Sequence, residues 1–100
     1  MTGVELIAEE RERQISDEGW THAHDDEHDD EAMALAARCY ACPPGIYERR
    51  FEDPRDGTPP IGWPWASPWW KPSPDDRIRD LVKAGALIAA EIDRLQRTQT

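Results

Sequence analysis

Residues 77–95, RIRDLVKAGALIAAEIDRL, decide how this chain folds. Ile78, Leu81, Val82, Gly85, Ile88, Ala89, Ile92 and Leu95 recur at steps of three and four, which keeps them on one face of a helix. Pro74 and Asp75 supply a start signal, so the spacing predicts a helix over about 75–97. A face this apolar belongs against other protein, and the expectation is that it forms the core of the domain. Ala84, Gly85, Ala86, Ala89 and Ala90 are small enough to let a second helix come close.

Upstream of that helix the pattern breaks down. The segment 43–74 holds all nine prolines, at 43, 44, 54, 59, 60, 64, 68, 72 and 74, so no long regular element fits there. The same segment carries Trp63, Trp65, Trp69 and Trp70, too much aromatic surface for a disordered linker. The expectation is an ordered, irregular connection whose rings complete a core that the helices cannot close alone.

Two more helices precede it. Val4, Ile7, Ala8, the stem of Arg11 and Ile15 share a face, predicting a helix over about 4–17 that Gly19 is placed to end. Ala32, Leu35, Ala36, Cys39 and Tyr40 trace a second stripe, stopped by Pro43 and Pro44. Asp29, Asp30 and Glu31 suit the positive end of its dipole, giving a helix over about 29–42. With no strand pattern, the chain reads as one all-α domain spanning 1–100, built from three main helices.

Charge is concentrated in one place. The net charge is −9, and Asp17, Glu18, Asp25, Asp26, Glu27, Asp29, Asp30 and Glu31 lie in a stretch free of lysine and arginine, between Gln14 and Arg38. Such a field repels nucleic acid and attracts basic surfaces, so direct nucleic-acid binding is not expected. Asp25, Asp26, Glu27, Asp29, Asp30 and Glu31 are the candidate partner-binding residues. No apolar run is long enough to span a bilayer, the N-terminus lacks a secretory pattern, and Cys39 and Cys42 fit a reducing compartment. The location expected is the cytoplasm.

Several residue sets have the composition of chemical sites. His24, His28, Cys39 and Cys42 have the ligand types of a structural zinc site, but there is one CxxC only, and Cys39 lies on an apolar stripe. His24-Asp25 matches the dipeptide of HD phosphohydrolases without the further ligands that those need. Glu9, Glu10, Glu27 and Asp30 resemble the paired carboxylates of all-helical nucleotide pyrophosphatases, except that Arg13 stands where a carboxylate is required. The tryptophans could stack the base of a small nucleotide, yet their neighbourhood is not basic. No metal or cofactor is expected on these grounds. A metal-dependent nucleotide hydrolase and a nucleotide binder are the alternatives to an interaction protein.

Taken together, the blocks ERERQISDEGWTHAHDDEH (10–28), ALAARCYA (34–41), WPWASPWWKP (63–72) and RDLVKAGALIAAEIDRL (79–95) resemble a family of small proteins from phages, prophages and mobile elements. That resemblance implies a phage-borne accessory protein acting in the bacterial host. Within this setting, the size, acidity and lack of an enzyme motif look like an anti-CRISPR, specifically a type I-F inhibitor. The function so implied is blockade of target DNA binding, with the acidic run docked on the basic DNA-binding surface of a surveillance complex.

Overall fold

A computed structural model describes residues 1–27, 30–43, 59–73 and 75–98, with His22 described by its backbone alone. Four α-helices account for the regular structure among them: α1 (Gly3–Ser16), α2 (His22–Asp26), α3 (Ala32–Ala41) and α4 (Arg77–Thr98). A short 3-10 turn, Ser67–Trp69, lies in the proline-rich connection. The described residues contain no strand, and the all-α expectation stands.

Each helix boundary has a local cause. Thr2 and Glu5 form a reciprocal capping box at the start of α1. Gly19 takes a positive φ of 72°, turning the chain so that the Trp20 N–H donates to the Gln14 carbonyl. Thr21 then caps α2 by accepting from the His24 N–H. α3 begins at Ala32, so Asp30 and Glu31 lie before its first turn and not in it. Asp30 Oδ1 accepts from the Ala32 N–H at 3.2 Å, and Glu31 adopts a left-handed φ of 68°. The end of α3 is held by Arg77, whose guanidinium donates to the carbonyls of Tyr40, Ala41 and Cys42. Pro74 lies outside the described residues; the N-terminal cap of α4 comes from Asp76, which accepts from the Arg79 N–H at 3.1 Å.

α4 is the spine. α3 and α1 both pack against it, and α2 meets its C-terminal end through Asp26 and Arg97. The core is Met33, Ala36, Ala37, Cys39 and Tyr40 of α3, Ala84, Leu87 and Ala90 of α4, and Trp70. Alanines on both helices let the backbones approach, which is why so few large aliphatic side chains are needed. Trp20, Trp63 and Trp65 pack against this cluster. Tyr40 meets Trp70 at 4.7 Å and Trp63 edge-on at 5.7 Å, and Trp63 meets Trp65 edge-on at 5.5 Å. The proline-rich connection does supply aromatic closure of the core, within the part described.

One expectation is reversed. The inward face of α4 is not the aliphatic stripe: Ile78, Leu81, Ile88 and Ile92 are exposed, at 65%, 46%, 48% and 50%. The buried positions are Asp80, Val82, Ala84, Ala86, Leu87, Ala90, Glu91 and Arg94. The alanine face wins because it fits tightly against α3, and the polar groups buried with it are paired. Glu91 bridges to Arg94, and Asp80 accepts from the Ser73 N–H at 2.8 Å. Ile88 is therefore not a core residue.

Candidate functional site

The acidic stretch does not act as one block. Asp25 is 1% exposed and lies 2.7 Å from the Arg11 guanidinium, so it ties α2 to α1 and is withdrawn from any partner. This corrects its assignment as a partner-binding residue. Asp26 remains exposed and pairs with Arg97 near the end of α4 at 2.7 Å. Glu27, Asp30 and Glu31 are exposed, as are Asp17 and Glu18 at the end of α1. Asp29 lies outside the described residues, as does His28.

Beside these carboxylates is an open cleft of about 290 Å³ lined by Trp20, His24, Trp65, Ala66 and Trp69. The turn at Gly19 presents Trp20, and one turn of α2 brings His24 parallel to it, with ring centroids 5.9 Å apart and planes 5° from parallel. Asp25 Oδ1 stands 3.6 Å from His24 Nδ1, so the buried carboxylate that anchors α2 also backs the imidazole. The 3-10 turn sets Trp69 on the far wall, 54% exposed, with the Lys71 ammonium 5.5 Å from its ring centroid. Trp20 thus has a wider role than anchoring the turn after α1, since it forms a wall of this cleft. The sequence shows the tryptophans, but nothing in their spacing says which of them stays open.

A second cluster adjoins this cleft, in a pocket that shares Trp20 and Trp69 with it and is lined also by Glu10, Arg13, Arg79 and Lys83. Glu10 is buried and receives hydrogen bonds from Arg13 at 2.7 and 2.9 Å and from Arg79 at 2.8 Å. Burial pushes its carboxyl up, but hydrogen bonds and charge from the two arginines outweigh that and hold it below its ordinary value. Both oxygens are thereby engaged by cations, leaving Glu10 poorly placed to serve as a metal ligand with Glu9. Lys83, on α4, stands 5.5 Å from the centre of the Tyr40 ring, and burial lowers its pKa.

Of the suggested zinc ligands, His28 lies outside the described residues, and His24 and Cys39 are not brought together. Cys39 is in the core, where burial raises its thiol pKa, while His24 stands in the aromatic cleft. Among the described residues, no group of three or more His, Cys, Asp or Glu side chains is arranged to hold a metal ion. No described helix is long and apolar enough to cross a membrane. The chain matches no protein-family model, no curated protein and no solved structure.

Proposed function

We propose that this protein is an interaction protein that docks an acidic, aromatic face on the basic nucleic-acid-binding surface of a partner. The observation that carries this reading is the placement of exposed Glu18, Asp26 and Glu27 on the segments that present Trp20 and His24 to the open cleft. An arginine offers a planar cation to both kinds of group. It stacks on an indole face and pairs with a carboxylate, and both contacts strengthen as water is excluded. Lysines and arginines that hold DNA through its phosphates are suitable counterparts, because carboxylates can occupy the same donors. Inhibition by occupancy requires no turnover. The resemblance to phage accessory proteins supplies a candidate partner, the type I-F CRISPR surveillance complex, and hence an anti-CRISPR role.

The test is competition between this protein and labelled target DNA for the purified surveillance complex. Asp17→Lys/Glu27→Lys and Trp69→Ala are the variants, because neither set disturbs the Arg11–Asp25 or Arg97–Asp26 pair. Wild type should displace DNA, more weakly as salt rises, and each variant should lose at least about tenfold in apparent affinity. If DNA binding is untouched by wild type, this partner is wrong. If the variants compete as well as wild type, the face is wrong.

A further inference from the structure

The aromatic cleft and the pocket around Glu10 adjoin, at about 290 and 220 Å³, with Trp20 and Trp69 in the walls of both. The first is aromatic and the second is cationic. Arg13 of α1, Lys71 of the proline-rich connection, and Arg79 and Lys83 of α4 line the second. Its carboxylates are Glu10 and Glu18, so four cations meet two anions in a chain of net charge −9. Along the sequence the tryptophans have a neutral neighbourhood. Folding brings cations to them from three separate segments.

The two lysines account for the excess. Glu10 is taken up by Arg13 and Arg79, and Glu18 by Arg13. Neither Lys71 nor Lys83 has a carboxylate within ion-pair distance among the described residues. Lys83 Nζ donates to the Lys71 carbonyl at 2.6 Å and to Ser73 Oγ at 3.4 Å, both uncharged acceptors. Burial pushes its pKa down, as expected of an ammonium held out of water without a counter-ion. Two neutral groups of the same pocket are incompletely bonded as well. Gln14 is 2% exposed; its Nε2 donates to Glu10 at 3.4 Å, while its buried Oε1 accepts nothing among the described residues. The Tyr40 hydroxyl accepts from the Lys71 N–H at 3.1 Å, and its own proton has no acceptor there. Buried polar groups are normally paired, so an acceptor, a donor and an uncompensated ammonium in one pocket mark a place for a ligand.

We propose that the two cavities together bind a small phosphate-bearing aromatic ligand of the mononucleotide class, its ring on the indoles of Trp20 and Trp69 and its phosphate on Lys71 and Lys83. A phosphate monoester carries about −1.5 to −2 at pH 7, which matches two uncompensated ammoniums better than the single charge of a carboxylate does. Its oxygens accept from the ammoniums and from the Tyr40 hydroxyl, and a sugar hydroxyl supplies the donor that Gln14 Oε1 lacks. Base and phosphate lie a few bonds apart, and the structure sets ring and charge equally close: Lys71 Nζ is 5.5 Å from the Trp69 ring centroid. Stacking on an indole suits any base, because every base has a π-face. The ligand is an anion held by lysines, so the inference stands apart from carboxylate docking on a basic partner, in which neither lysine takes part.

The experiment is calorimetric titration of the full chain with AMP, adenosine and inorganic phosphate, with tryptophan emission read in parallel. AMP should bind one per chain and quench the emission. It should also bind at least about tenfold more tightly than adenosine or phosphate alone, because only AMP fills both cavities. Lys71→Ala and Lys83→Met are the variants, with helix content followed by circular dichroism. Each should lose at least about tenfold in AMP affinity and leave the weak binding of adenosine unchanged, a split that loosening of the fold would not give. Lys71 is exposed, so Lys71→Ala decides should Lys83→Met lose its fold. No binding of AMP at millimolar concentration overturns the inference. So does AMP bound no more tightly than phosphate or than adenosine, and so does AMP affinity unchanged in Lys71→Ala. Competition with DNA for a partner is a separate measurement, and its failure leaves these results standing.

Discussion

The inverted face of α4 makes a sharp prediction from two adjacent residues. Leu87 is 2% exposed and sits between α3 and the aromatic cluster, whereas Ile88 is 48% exposed. Leu87→Ala removes a fully buried side chain and leaves a cavity among neighbours that cannot collapse, at a cost of about 3–5 kcal/mol. Ile88→Ala removes about three carbons, worth ~0.8 kcal/mol each if fully buried, and half of that surface is already in water, so about 1 kcal/mol is lost. A domain of this size has roughly 5–15 kcal/mol in total, so the first change consumes a large share and the second does not. Urea unfolding followed by tryptophan emission reads the difference, because the indoles of Trp63, Trp65 and Trp70 pack in the core cluster. With a slope of about 1–3 kcal/mol/M, the Leu87→Ala midpoint should fall by one to several molar steps and that of Ile88→Ala by only about half of one. Equal shifts, or a larger one at Ile88, would show that the aliphatic stripe is the core after all.

Two further predictions concern buried charge. Asp25→Ala leaves the Arg11 guanidinium buried without its carboxylate and should cost about 3–5 kcal/mol, while adding Arg11→Met should recover most of that; a melt of Asp25→Ala indistinguishable from wild type would place Asp25 in solvent. Glu10 has a folded-state pKa below its ordinary 4.5, so its contribution is fully present above that value and is lost as pH falls through the folded one. Glu10→Gln should accordingly flatten the acid side of the stability–pH profile, and an unchanged acid limb would refute the coupling to Arg13 and Arg79.

The three long helices are legible in the sequence because their signals are local. Periodicity marks the extent of α1, α3 and α4 to within a few residues, and Gly19 and Pro43 end two of them for backbone reasons that need no tertiary context. The capping pair Thr2 and Glu5 is equally legible, and it places the start of α1 one residue earlier than apolar spacing does. α2 is harder to see, since five residues are too few for a period and the cap at Thr21 is its clearest mark. The aromatic richness of 59–72 likewise predicts closure of a core, because indoles that cannot form a helix still have to leave water.

What the sequence alone determines, then, is where the helices lie, that the chain is acidic in one stretch, and that tryptophans finish the core. Which face of α4 points inward was decided only in three dimensions. Two faces compete there, one of large aliphatic side chains and one of alanines flanked by charges. Spacing ranks them by hydrophobicity, whereas packing ranks them by fit. Ala84, Ala86 and Ala90 let α3 approach closely, and Asp80, Glu91 and Arg94 find partners that make their burial tolerable. The same reason separates Asp25 from Asp26: two adjacent carboxylates are identical in sequence terms and each meets an arginine of another helix, but only Asp25 is turned by α2 into the protein, where its pair with Arg11 is buried.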